Sequence, residues 1–208
     1  IFVLEELQKR GGGNGVAGLK LLDPAGLAAI EPRAAGRAAL HAPSGANVDS
    51  AAFVGALAQE AREAGVFFHF NQEVLFLEES SGGFTARTSQ SSIRCRRLIN
   101  CAGLYADRIA HRLGAGLDYT IVPFRGEYYY LNPEKAGMLR SMVYDTPDLQ
   151  YPFLGIHRTR SASGRVKVGP NAILALGREA YDWRESHPQE SLSMLCDRRF
   201  WKMIANRE

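Results

Sequence analysis

Residues 151–183 read YPFLGIHRTRSASGRVKVGPNAILALGREAYDW, and this stretch decides the fold. An apolar lead-in ends in His157, Arg158, Thr159 and Arg160. The polar turn SASG then reverses the chain into a second strand, 165–168, which runs into Gly169-Pro170-Asn171. Two such runs joined by a short polar turn predict an antiparallel hairpin. The hairpin carries an imidazole, two guanidiniums and an amide toward one end. Guanidinium is permanently charged and holds a carboxylate through two parallel hydrogen bonds, so the set suits a small anion with carbonyl or hydroxyl groups. The plainer alternative is a surface hairpin with solvated arginines, since exposed charges contribute little.

Composition narrows the classes. The 208 residues suffice for one large domain or parts of two. With 46% apolar and 23% charged residues, wholesale disorder is excluded. The net charge of +3 is spread along the chain. Its densest basic spot, Arg94-Cys95-Arg96-Arg97, lacks interleaved aromatics, which argues against a nucleic-acid partner. No apolar run approaches the roughly 20 residues that span a bilayer, so no transmembrane segment is expected. Cys95, Cys101 and Cys196 are odd in number and lack metal spacing, and the five histidines form no close pair. Neither a disulfide framework nor a metal site is expected, and a reducing compartment fits best. The chain opens at Ile1 without a recognisable leader and reads as an excerpt of a longer protein.

Along the chain, residues 1–10 read as the end of a helix followed by GGGNGVAG, which contains a formal G-x-G-x-x-G at Gly13, Gly15 and Gly18. A dinucleotide loop needs a strand before it and a helix after it. Here a charged helix precedes and Asp23-Pro24 cuts the following run short, so the cluster reads as a connector. Residues 49–64 form the clearest helix, with Asp49 as cap, Val54, Leu57, Ala58 and Ala61 on one face, and Gly65 as stop. Strands are predicted over 66–70, 72–77 and 84–88, with a turn at Ser80-Ser81-Gly82-Gly83, and a further pass begins at Ile93.

RLINC at 97–101 reads as a buried-type strand entering a helix, 104–112, through Ala102-Gly103. Small residues there let a ligand lie close to the backbone, or simply allow tight helix–sheet packing. Residues 120–131 read as one strand with Arg125, Glu127 and Tyr129 on one face and Tyr128 and Tyr130 on the other. A short strand is expected at 142–144 and a single helix over 189–204, with Leu192, Leu195 and Phe200 facing the core.

Four motifs in order, NCAGLYADR at 100–108, IVPFRGEYY at 121–129, YPFLGIH at 151–157 and GPNAILALGREAY at 169–181, resemble the L-2-hydroxyglutarate dehydrogenase/oxidase family. That family lies in the wider flavin group of glycine and D-amino-acid oxidases. The resemblance implies a mixed α+β and α/β fold. A partial FAD-binding domain of strand–helix units and an antiparallel meander would accompany an antiparallel-sheet substrate domain. The expected blocks are a connector and the start of the substrate domain at 1–48, the partial FAD-binding domain at 49–116 and the substrate domain at 117–208.

It also implies FAD as cofactor and oxidation of L-2-hydroxyglutarate to 2-oxoglutarate, with a small dicarboxylate as substrate and a quinone or oxygen as electron acceptor. A parallel strand ending at Val74 would make the adenine-side contact by backbone. Ala102 and Gly103 would make the second FAD contact, and Asn171 would stand in the loop that reaches the flavin ring. Arg160 resembles the guanidinium that relatives place on the substrate carboxylate. His157 and Arg125 are the next choices for catalysis, followed by Glu127, Tyr128 and Tyr129. The family's N-terminal nucleotide strand and C-terminal part have no counterpart here, and Arg158 and Ala180 depart from its usual residues. An amine oxidase of the glycine or sarcosine type, or a non-catalytic binding fragment, are the competing readings. The expected compartment is the cytoplasm, including peripheral attachment at the inner face of the membrane, or the mitochondrion in a eukaryote.

Overall fold

The computed structural model describes residues 1–148 and 155–205, so the 151–154 part of the YPFLGIH motif lies outside the described residues. The helices are α1 (Phe2–Gly13), α2 (Pro24–Ile30), α3 (Ser50–Glu63), α4 (Ala106–His111), α5 (Pro188–Leu195) and α6 (Arg198–Ala205). The longer strands are β3 (Val74–Ser80), β4 (Gly83–Thr88), β5 (Ser92–Cys95), β9 (His157–Arg160) and β10 (Val166–Gly169). The short ones are β1 (Lys20–Leu22), β2 (Ala39–His41), β6 (Phe124–Arg125), β7 (Tyr129–Tyr130), β8 (Val143–Tyr144) and β11 (Ile173–Leu174). The result is a mixed α and β fold with antiparallel sheets. It divides into two interleaved units, Ile1–Glu63 with Gly126–Ala172, and Ala64–Arg125 with Ile173–Glu208.

In the first unit the predicted hairpin forms. β9 and β10 are the centre of a sheet ordered β7-β10-β9-β8, and β1 pairs with β2. Asp49 caps α3 by accepting from the backbone N–H of Ala51 and Ala52 at 3.1 and 3.0 Å. Its apolar face is left open, with Val54 and Leu57 exposed. α1 precedes the glycine cluster and runs through Gly13, so the formal phosphate motif has no strand before it. Leu4, Leu139 and Val166 are buried with a carboxylate, Glu31, which accepts from the N–H groups of Arg140 and Ser141 at 2.8 Å each.

In the second unit β3, β4 and β5 make the expected meander, turning at Gly83. Four expectations are corrected. Residues 66–70 and 97–101 are not strands, because among the described residues no neighbour pairs with them, and Phe67 and Ile99 stand 88% and 84% exposed. The 120–131 strand is broken into β6 and β7. At the break Gly126 packs so closely on Pro170 that a Cβ would stand 2.7 Å from the proline ring. The C-terminal helix is likewise two. Asp197 accepts from Arg199 N–H at 2.8 Å and caps α6, which buries Phe200 while Leu192 and Leu195 stay exposed.

A buried ion pair ties the second unit together. Arg178 forks onto Asp107, with Nη1 2.8 Å from Oδ1 and Nη2 2.7 Å from Oδ2. Asp107 also accepts from the backbone N–H of Ile121 at 2.9 Å and of Arg108 at 2.8 Å. Burial raises its carboxyl pKa, but the guanidinium and these N–H donors outweigh burial and hold it down, to about 2. A carboxyl depressed in the folded state contributes stability above its unfolded value near 4, and loses it as pH falls toward the folded value. Acid titration of the fold should therefore show a loss of stability between about pH 4 and 2. Asp107→Asn should flatten that limb, and an unchanged acid limb would contradict the assignment. Separately, Phe200→Ala should lower stability by about 3 kcal/mol, seen as a lower urea midpoint at constant slope.

Candidate active site

His157 opens β9 opposite Gly169, which closes β10. His157 is 8% exposed. Tyr144 of β8 stacks on it with ring centroids 4.8 Å apart, and Tyr128 meets it edge-on at 6.2 Å. Nδ1 lies 3.2 Å from the carbonyl oxygen of Gly155. A carbonyl can only accept, so this partner assigns the ring proton to Nδ1 and leaves the Nε2 lone pair available. Lys167, opposite Thr159 in the sheet, shares this face and holds its ammonium 4.6 Å over the Tyr128 ring.

Alternation along β9 turns Arg158 and Arg160 to the other face. Arg160 Nη2 donates to the carbonyl oxygens of Ala136 and Leu139, at 2.6 and 2.7 Å, at the end of a 3-10 turn (Pro133–Met138). The expectation that the hairpin carries its imidazole, guanidiniums and amide toward one end is therefore corrected. His157 stands at the bend, whereas Arg160 stands at the turn end of the hairpin, opposite Val166, gripping backbone.

The bend itself is a clasp. Asn171 Oδ1 accepts from Glu127 N–H at 2.8 Å, and Asn171 Nδ2 donates to Glu127 Oε2 at 3.2 Å. Gly169 has φ +141°, and a Cβ there would stand 2.6 Å from the Glu127 carbonyl oxygen, so no other residue fits. The Gly169-Pro170 peptide is cis. Tyr129, by contrast, is 79% exposed on β7.

Arg125 belongs to the second unit, where its Nη1 donates to the carbonyl oxygens of Asp182 and Ala180 at 2.8 and 3.3 Å. Val74 starts the antiparallel β3 rather than ending a parallel strand, and its carbonyl accepts from Arg112. That corrects the strand expected before it. Ala102-Gly103 leads into a helix as expected, through a 3-10 turn (Gly103–Tyr105) before α4, but the described residues 97–101 form no strand before it. Asn100 bridges the corner, accepting from Ala102 N–H at 3.2 Å and donating to the Ala106 carbonyl at 2.8 Å. Gly103 has φ +53° with nothing within 4 Å of where a Cβ would stand, so a flat polar group has room to approach the backbone.

Arg178 reaches this corner by donating to the Leu104 carbonyl as well as to Asp107. Both charges lie inside recognisable motifs, yet they stand 71 positions apart and nothing local pairs them. Among the described residues no cluster of His, Cys, Asp or Glu could hold a metal ion.

The family model described as FAD dependent oxidoreductase matches residues 3–199. The mitochondrial L-2-hydroxyglutarate dehydrogenase of Nematostella vectensis is 36% identical over 196 residues, which covers 88% of this chain and 43% of that protein. The Homo sapiens protein of the same name is 37% identical over 190 residues, covering 86% and 41%. L-2-hydroxyglutarate dehydrogenase of Indibacter alkaliphilus is 37% identical over 180 residues, covering 86% and 45%. The chain thus spans less than half the length of these relatives. Among solved structures, glycine oxidase from Geobacillus kaustophilus superposes with a TM-score of 0.65 at 21% identity, over 82% of this chain and 44% of that one. L-alpha-glycerophosphate oxidase from Mycoplasma pneumoniae, with FAD bound, gives 0.66 at 24% identity, over 88% and 50%. Both share the fold. A match running from the first helix into the last places this chain in the FAD dependent oxidoreductase family.

Proposed function

We propose that the protein to which this chain belongs oxidises the 2-hydroxyl of L-2-hydroxyglutarate to the ketone, giving 2-oxoglutarate, with FAD as cofactor. The observation that carries this reading is the 36% and 37% identity to L-2-hydroxyglutarate dehydrogenases, extending over 88% and 86% of the chain. FAD bound to the protein supplies a two-electron acceptor for the hydride that leaves C2. In this reading Ala102 and Gly103 hold the cofactor through their backbone at the open corner. Val74 and the loop that Asn171 buttresses are the further contacts.

His157 Nε2 takes the hydroxyl proton while the C2 hydrogen departs with its electron pair, so the substrate loses one proton and one hydride. Lys167, on the same face, is the cation for a substrate carboxylate, and Tyr128 and Tyr144 wall the imidazole. Arg160 and Arg125 act here as anchors of neighbouring loops. Each already bonds two carbonyl oxygens, so neither guanidinium is wholly free to fork onto a carboxylate. Among the described residues no helix is long and apolar enough to cross a membrane. A quinone pool or oxygen receives the electrons, and hydrogen peroxide formation separates the two.

Purified protein should be yellow and should reduce a dye with L-2-hydroxyglutarate. His157→Gln should lower kcat by about 100-fold with KM within a few-fold. Lys167→Met should instead raise KM, by about 10-fold, at nearly constant kcat. Turnover of glycine or sarcosine in place of the hydroxy acid would establish an amine oxidase, and absence of flavin absorbance would establish a binding protein without redox chemistry.

A further inference from the structure

We propose that Arg178 is a positioning residue that fixes the Ala102-Gly103 corner from below, so that its backbone is already shaped when the cofactor arrives. The inference rests on the reading of that corner as a cofactor contact. The 3-10 turn Gly103–Tyr105, with Gly103 at φ +53°, is held locally by Tyr105 N–H on the Ala102 carbonyl at 3.0 Å and by the Asn100 bridge. The Leu104 carbonyl and the Tyr105 side chain are instead held from outside the corner.

This outer brace comes from the loop Gly177-Arg178-Glu179. The Arg178 guanidinium is 11% exposed and donates at once to the Leu104 carbonyl, inside the turn, and to both oxygens of Asp107, in the first turn of α4. Next to it, Glu179 accepts from the Tyr105 hydroxyl at 2.9 Å. Two consecutive residues of one loop therefore hold Leu104, Tyr105 and Asp107 across the whole junction.

The loop is held in turn from behind. Glu190 of α5 accepts from the backbone N–H of Arg178 at 2.8 Å and from Arg108 Nη2 at 2.7 Å, so the Asp107–Arg178 and Arg108–Glu190 ion pairs are joined through the backbone N–H groups of Arg178 and Arg108. A planar fork with several fixed donors can grip a carbonyl and a carboxylate together, and a lysine cannot reproduce that geometry. A comparable group nearby provides a control. Arg199 pairs with Asp197 and grips the carbonyls of Leu117 and Tyr119, but makes no bond to the 102–105 turn.

The test uses the full flavoprotein with three variants: Arg178→Lys, the paired Asp107→Asn/Arg178→Met, and Arg199→Lys. Pairing the two changes avoids leaving one buried charge alone, so a folded variant remains available. FAD dissociation constants, visible circular dichroism of the bound flavin and backbone amide exchange at 102–105 are measured beside the melting temperature. Arg178→Lys and the paired variant should weaken FAD at least 10-fold, alter the flavin signal and speed amide exchange at 102–105 at least 10-fold. Arg199→Lys should lower the melting temperature alone. Unchanged FAD affinity in folded Arg178 variants, or equal weakening by Arg199→Lys, would overturn the proposal. If the unaltered protein takes up no FAD, the cofactor reading falls. Amide exchange then decides the brace by itself: acceleration confined to 102–105 keeps it and wild-type rates remove it.

Discussion

A strand shows its side chains to opposite faces in turn, and that period of two governs what the hairpin can do. His157 and Thr159 are buried on the face that the exposed Tyr144 and half-buried Lys167 share, while Arg158 and Arg160 must look the other way. A slip of one residue would exchange the two sets. The register is fixed at the Gly169 end, where φ +141° and the approach of the Glu127 carbonyl admit no side chain, and where Asn171 clasps Glu127. Face assignment therefore follows from a backbone constraint. In the proposed reaction, the residues assigned to the reacting hydroxyl are those on the face of His157.

The second unit is organised by charge as much as by apolar burial. Removing an aspartate and an arginine from water costs several kcal/mol for each ion, and the pair is tolerated only where the geometry is good and the remaining acceptors are filled. Asp107 meets that condition, with Arg178 on both oxygens and two backbone N–H donors. What the arrangement provides is definition. It joins α4, the segment before β6 and the 177–179 loop in one geometry, and the loop beside Gly103 inherits that order.

The local features were legible from the amino acids. The SASG turn, the Asp49 cap, the Gly83 turn and the Ala102-Gly103 entry into a helix each depend on a few neighbouring residues, and each forms as expected. The break between β6 and β7 was not legible, because Gly126 is forced by contact with Pro170 far along the chain. The α6 cap at Asp197 was visible in principle, an acidic residue directly before a helical run, but the continuous apolar pattern hid it. Of the candidate site, the sequence placed His157 and Arg160 on one strand but did not show what each would meet: His157 lies beside the Gly169 bend, and Arg160 is engaged with the Ala136 and Leu139 carbonyls. No sequence pattern announces that engagement, since it depends on a turn 21 residues away. Residues 66–70 and 97–101 carry strand-like composition without a pairing partner among those described, so composition alone misjudged them.

The central claim is that substrate is handled on the His157 face of the hairpin. It is tested most directly by a crystal structure of the FAD-loaded protein with 2-oxoglutarate bound. The account predicts the ketone oxygen within hydrogen-bonding reach of His157 Nε2, at about 2.6–3.2 Å. A ligand seated instead on the opposite face, held by Arg158 and Arg160 with His157 out of reach, would contradict it.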